Sequence, residues 1–473
     1  MKKFVMLILF AFVLISSGSR AETIESGIDD QTGVEVTVYN SNIGLIKDTR
    51  EIRLPEGVGE LRFADVASGI QPVTVAVKSL NAPEQFMVLE QNYEYDLMNS
   101  QKLLDKYVGK KVKIIDENIY QGTSKELEAE LLSNNNGQIY KIHDEIYLGY
   151  SGKIVLPEIP DNLIAKPTLT WMFQNESSEV QQLEVSYLTN NIGWKSDYVM
   201  TVSADDKSAG LNGWVTVDNR SGAEYRDAAL KLVAGEVNRV QEPTLSGMEF
   251  GDDRSMVMSS KAGGFEEAAF FEYHIYDLQR QTTIKNNQTK QISLLEADKI
   301  NIQKEFILYG QNHFFQSRFH EIPKSKVGVY LKFKNEAKNN LGMPLPAGTI
   351  RLYKMDNKEK LQFIGEDRID HTPKDEEITL KIGEAFDIVA ERVQMDFQNL
   401  GNRAIETAWK VVIRNHKEED VNVTVIEPVS GEWTIIDPSQ EYEKIDAQNI
   451  KFNIPVEKDG EATLTYRVRV SFR

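Results

Sequence analysis

Gly213-Trp214-Val215-Thr216-Val217-Asp218-Asn219-Arg220-Ser221-Gly222 is the stretch that decides how this chain is read. Valines alternate with polar residues through its middle, which is the period of a half-buried strand. Its end, Asn219 to Gly222, is built of residues that favour turns. The neighbouring sequence repeats the pattern. Leu183, Val185 and Tyr187 share one face while Glu184 and Ser186 take the other. Asn190-Asn191-Ile192-Gly193 then predicts a reversal before Trp194, Tyr198 and Met200, and a further strand follows over residues 227–233. Four strands at this spacing predict a β-sandwich sheet. Residues 171–240, which hold three of the five tryptophans, are its centre.

The N-terminus reads as a separate unit. Lys2 and Lys3 precede an unbroken apolar run over residues 4–15, and Ser19-Arg20-Ala21 is a small-residue cleavage site; together they predict a secretory signal peptide over 1–21. A dozen or so apolar residues fall short of the ~20 that span a bilayer, so cleavage rather than anchoring is expected. The expected location is the periplasm or the extracellular space, with no transmembrane segment in the mature chain. The chain has no cysteine, so disulfides, thiol catalysis and cysteine-bound metals are excluded. Loss of Lys2, Lys3 and Arg20 takes the formal charge from −18 to −21. That acidity opposes binding to nucleic acid or anionic lipid.

At 473 residues the chain exceeds one ordinary domain. Alternation at Val34, Val36 and Val38, across residues 45–54, at Leu61-Arg62-Phe63 and at Val73, Val75 and Val77 predicts an N-terminal β unit over 22–83. Residues 84–160 read as a short helix, capped at Asn99 or Ser100 and stopped at Gly109, followed by five short strands. Those strands are expected at 111–115, 119–122, 127–132, 139–142 and 146–150, which predicts a small SH3-like barrel. A central β-sandwich region is expected over 161–385, interrupted by a mobile linker at 241–267 where proline, glycine, serine and methionine show no period. The strongest alternation comes last. Trp409, Val411 and Ile413, then Val421, Val423 and Val425, then Leu464, Tyr466, Val468 and Val470 predict an immunoglobulin-like β-sandwich over 386–473. The expected fold class is therefore all-β, with several sandwiches and one inserted barrel.

Ile192-Gly193-Trp194 with Tyr198, the run Leu211 to Gly222 and Asp227-Ala228-Ala229-Leu230-Lys231-Leu232-Val233-Ala234-Gly235-Glu236 together resemble the bacterial family called domain of unknown function 4139. The resemblance continues through residues 287–291, 365–375 and 414–417, and covers roughly 34–80 and 166 onwards. It implies an exported, β-rich architecture. Some relatives carry the name mucoidy inhibitor, which points by analogy to surface polysaccharide. The resemblance carries over no catalytic residue.

Catalytic patterns are missing. The chain has no Gly-x-Ser-x-Gly elbow, and Gly149-Tyr150-Ser151-Gly152-Lys153 lacks the spacing of a phosphate loop. None of the six histidines forms the helical pair of a zinc protease. The most suggestive acidic group is Glu366, Asp367, Asp370, His371, Asp375, Glu376 and Glu377, with Asp367, Asp370, His371 and Asp375 as the metal candidates; its oxygen ligands suit calcium, although Pro373-Lys374 interrupts it and a solvated turn has the same composition. Trp194, Tyr198 and Trp214 are aromatic planes able to stack on a sugar if exposed; at strand positions such residues more often fill a core. The functional expectation is a non-catalytic protein of the bacterial cell envelope that binds or scaffolds a partner protein or surface glycan. The alternative is an envelope polysaccharide hydrolase using paired carboxylates, whose separation sequence does not reveal.

Overall fold

The computed structural model describes residues 23–94, 98–118, 123–160, 166–235, 237–238, 265–270, 273–319, 324–401 and 404–471. The expected signal peptide, the expected strand at 119–122 and residues 241–264 of the expected linker lie outside them. Residues 265–267, also assigned to that linker, open the strand Phe265–Phe270. The described chain is nearly all β, with a single α-helix, Ser100–Lys106.

The four strands of the central stretch do not share one sheet. Gln181–Asn190 lies in an eight-stranded sheet between Ile43–Ile52 and Ala76–Ser79. Ile192–Val202 and Ser208–Asn219 pair with each other in a five-stranded sheet, and Tyr225–Ala234 returns to the eight-stranded one. Asn191, at φ 63°, is the one residue between the first two strands, so the chain turns a corner there instead of closing a hairpin. Leu183, Val185 and Tyr187 from one sheet then meet Trp194, Tyr198 and Met200 from the other in a common core.

The expected N-terminal unit is not a separate body either. Gln31–Tyr39 pairs in parallel with Tyr225–Ala234, which requires a long crossover, and Ile43–Ile52 pairs with Gln181–Asn190. Val73 breaks the alternation assigned to it. It sits on the short 3-10 turn Pro72–Thr74, 95% exposed, and only Ala76–Ser79 extends as a strand. The strand Phe86–Glu94 was not expected; it joins Thr168–Asn175 at the edge of a four-stranded sheet, so residues 86–94 belong with the larger body and not with the insert.

The insert itself matches its expected helix. Asn99 accepts a hydrogen bond from Lys102 N–H at 2.9 Å, and Gly109 at φ 81° follows the helix end. Its five strands form an antiparallel sheet in the spatial order Glu145–Leu148, Ile139–Ile142, Thr123–Ser133, Lys111–Asn118, Lys153–Val155. Among the described residues the two end strands do not pair with each other, so this sheet does not close on itself; the expectation was a small SH3-like barrel.

The boundary expected at 386 falls inside one strand, Glu377–Asn399. Its first half packs Ile378 and Leu380 into the larger core, and its second half packs Ile388 and Ala390 into a C-terminal core with Trp409, Val423, Phe452 and Val468. Ser325–Lys334, its partner, does the same with Leu331 and Phe333 against Val327. Both belong to a nine-stranded sheet that also recruits Gln303–Tyr309. The C-terminal core therefore draws on strands that begin well before residue 386.

A buried asparagine recurs at the ends of four strands. Asn175, Asn219 and Asn415 are the last residues of theirs, and Asn335 directly follows Ser325–Lys334. Each side-chain amide reaches backbone carbonyls of a neighbouring connection: Leu54 and Pro55 for Asn175, Ile284 and Lys285 for Asn219, Thr372 and Pro373 for Asn335, Val456 and Glu457 for Asn415. Each side-chain oxygen accepts a backbone N–H from its own turn, at Ser177, Ser221, Gly342 and Lys417 respectively. The turn signal at Asn219-Arg220-Ser221-Gly222 is thus one case of a repeated clamp.

Candidate functional site

The five-stranded sheet runs in the order Gln288–Asn301, Ser208–Asn219, Ile192–Val202, Gly348–Met355, Leu361–Ile369. Side chains alternate across it, and its inner face is apolar: Trp194, Tyr198, Met200, Val215, Val217 and Ile350 are buried there. Trp194 donates its indole N–H to Val233 O at 3.1 Å, and Tyr198 donates its hydroxyl to Pro346 O at 2.8 Å. Burial pushes the Tyr198 hydroxyl well above its ordinary pKa. Of the three expected sugar-stacking residues, these two are core and offer no face to a ligand.

Trp214 is the third, and it points the other way. It lies out of phase with Val215 and Val217 and is 40% exposed on the outer face. Asp197 and Ser293 stand opposite it on the two adjoining strands. Asp197 is held from several sides: Thr216 Oγ1 donates to it at 3.1 Å, Arg351 Nη1 at 3.1 Å, and Lys195 Nζ lies at 3.7 Å. Gln291 Nε2 donates to Thr216 Oγ1 at 3.3 Å, and Arg351 Nε reaches Glu366 Oε2 at 3.3 Å. Gln291, Thr216, Asp197, Arg351 and Glu366 therefore form a polar ladder with one rung on every strand of the sheet.

A second aromatic group shares this side. Tyr353 lies two residues beyond Arg351 on the same strand and meets exposed Phe363 edge-on, with ring centroids 5.6 Å apart. Tyr353 is two strands and four residues from the Trp214 row, a separation of roughly 16 Å from a strand spacing of ~4.8 Å and a rise of ~3.3 Å per residue. Sequence reading picked out Trp214, and Glu366 only as part of the acidic loop, but missed Asp197, Arg351 and Phe363. They come from segments far apart in the chain, and only the register aligns them.

The groups of the acidic loop are spread over separate local contacts. Asp367 spends its carboxylate on the backbone N–H groups of Arg368 and Lys381, at 2.9 and 2.6 Å. His371 Nδ1 accepts from Ala347 N–H at 3.2 Å, the Asp370 carbonyl accepts from Thr372 Oγ1 at 2.8 Å, and Asp375 occupies a turn at φ 66°. Among the described residues no three His, Cys, Asp or Glu side chains converge to hold a metal ion. A cleft of ≈ 510 Å³ lies beside Asp65, Ser68, Lys166 and Arg226, but its Lys166 and Asp65 are already paired at 2.5 Å.

Among the described residues no helix is long and apolar enough to cross a membrane. No curated protein matches the chain. The family model described as domain of unknown function (DUF4139) matches residues 183–472, a span that takes in the whole five-stranded sheet, its outer-face ladder and the C-terminal core. By that match the chain belongs to the domain of unknown function 4139 family.

Proposed function

We propose that the protein is an exported, non-catalytic envelope protein that holds a surface glycan on the outer face of its five-stranded sheet. The observation that carries this reading is Trp214, an exposed indole flanked by hydrogen-bonding groups already held in place by one another. A pyranose offers an apolar face to an aromatic plane and hydroxyls around its rim, and a side chain fixed beforehand loses little entropy on binding. The roughly 16 Å between Trp214 and the Tyr353 and Phe363 pair suits an extended oligosaccharide better than a single sugar.

One observation favours the hydrolytic alternative: Asp197, which stands opposite Trp214, and Glu366, two strands further on, are two carboxylates sharing Arg351. Against it, Glu366 is more than half exposed, whereas a general acid working near neutral pH relies on an apolar surround to stay protonated. Binding without turnover fits the arrangement better.

The test is a titration of the mature protein with defined oligosaccharides of increasing length and with polysaccharide from its own cells, read by tryptophan fluorescence. Saturable quenching is expected, with affinity lowered at least tenfold in Trp214→Ala and no release of reducing ends. Equal binding by Trp214→Ala would remove the site. Reducing-end release abolished by Glu366→Gln would replace binding with hydrolysis.

A further inference from the structure

The chain holds two Asn-Gly pairs, and the fold treats them in opposite ways. Glycine has no Cβ to shield its nitrogen, so after asparagine that nitrogen can reach the side-chain carbonyl carbon wherever the backbone is free to turn. Asn212-Gly213 lies inside Ser208–Asn219, paired with Ile192–Val202 on one side and Gln288–Asn301 on the other. Gly213 is packed between Tyr198 and Leu295, whose side chains a Cβ there would meet at 3.1 and 2.9 Å. The two ladders and this packing hold the backbone extended.

Asn136-Gly137 lies at the tip between Thr123–Ser133 and Ile139–Ile142 of the insert. Both residues are exposed, at φ 55° and 125°, and a Cβ on Gly137 would meet nothing within 4 Å. The tip is held from its two ends. Asn134 is buried; its amide reaches Gln101 O at 3.2 Å and Asp105 Oδ1 at 2.8 Å, and its Oδ1 accepts from Gln138 Nε2 at 3.0 Å. Between these anchors Asn135 N–H donates to Ser133 Oγ at 3.3 Å, and among the described residues no hydrogen bond engages the Asn136 side chain or the Gly137 N–H.

We propose that Asn136 is a site of spontaneous deamidation in the folded protein, with water as its co-reactant. The Gly137 nitrogen gives its proton to solvent base and bonds to Asn136 Cγ; the side-chain amide takes up a proton and leaves as ammonia, closing a succinimide ring. Water then adds at one of the two ring carbonyls and breaks its bond to that nitrogen. Opening at Cγ gives aspartate, and opening at the backbone carbonyl gives isoaspartate, which adds one methylene to the main chain. Either product carries a negative charge that asparagine lacks. The anchors at Asn134 and Gln138 use neither residue of the pair, so the hairpin keeps its register through the reaction. This site is separate from the Trp214 face and stands or falls without it.

The test incubates the mature protein at mildly alkaline pH, folded and in urea, and follows intact mass together with peptide mapping that separates aspartate from isoaspartate. In the folded protein a gain of about 1 Da is expected at Asn136, at least tenfold faster than at Asn212 and faster still as pH rises, because the attacking nitrogen must lose its proton. In urea the two pairs should react at similar rates. Asn136→Gly, which suits the left-handed backbone, should remove the folded-state gain. No gain at Asn136 until urea is added would overturn the site. Equal rates at Asn136 and Asn212 in the folded protein would overturn the selection by the fold. A urea midpoint that falls as the modified form accumulates, and holds steady in Asn136→Gly, would overturn the retained hairpin.

Discussion

Asn219 carries more of the fold than its neighbours in the quoted stretch. Its amide reaches the carbonyls of Ala223, Ile284 and Lys285, its oxygen accepts from the backbone N–H and the hydroxyl of Ser221, and Tyr225 completes the group through that hydroxyl at 2.8 Å. Removing the side chain leaves several buried backbone groups unpaired, each costing about 1–3 kcal/mol in part offset by relaxation. Asn219→Ala is therefore expected to lose about 2–4 kcal/mol in urea unfolding, well beyond an ordinary surface change. A loss under 1 kcal/mol would show that the clamp is ornamental. The turn at Asn219 was legible from its residue types, but its partners some 65 positions away were not. Trp214 is a different case. Its parity against Val215 and Val217 already separated it from Trp194, whose neighbours in phase are Tyr198 and Met200, so alternation alone held the signal that one of the three aromatics faces outward.

Elements are tied together by charge at the tip between Ile192–Val202 and Ser208–Asn219. Asp206 there sits between Lys304 at 2.6 Å and Lys354, so the hairpin is bound both to Gln303–Tyr309 of the nine-stranded sheet and to Gly348–Met355 of its own. Partial burial pushes the Asp206 carboxyl up, and hydrogen bonds and charge from the two lysines more than reverse it, leaving it below its ordinary value. A depressed folded-state value means stability that is full above the unfolded pKa of about 4 and is lost as pH falls through the lower folded one. Asp206→Asn keeps a residue tolerant of the left-handed backbone found there, φ 57°. It should cost about 1.5–3 kcal/mol at pH 7, with the gap to wild type shrinking steadily below pH 4. A gap that stays constant from pH 7 to pH 2 would assign the loss to packing. Strand existence was easiest to read where one face is buried, as in 31–39 or 464–470. It failed at Val73, where Pro72 sets a turn, and at Phe86–Glu94, an edge strand whose exposed face breaks the apolar period.

At the scale of the whole molecule, sequence reading erred by cutting the chain into consecutive units. Sheet partners here are distant, and a boundary drawn from composition runs through shared strands. The contrast between two cuts follows from the pairing. Glu94 and Thr168 are directly opposite one another, so the insert leaves and re-enters the body at neighbouring points, and its own core of Leu104, Tyr107, Ile114 and Tyr140 is distinct from both others. Joining Glu94 to Lys166 through two glycines gives a four-residue hairpin connection, a length that antiparallel strands accept. That variant is expected to remain soluble, keep its β circular dichroism and unfold in one transition. A fragment of residues 386–473 is expected not to fold, because it lacks Ser325–Lys334, Gln303–Tyr309 and the first half of Glu377–Asn399 from the sheet that covers its core. Circular dichroism and urea unfolding of the two products decide the matter. A stably folded fragment together with a collapsed excision variant would mean that the C-terminal core folds without the long shared strands and that the insert, not those strands, holds the rest of the body together.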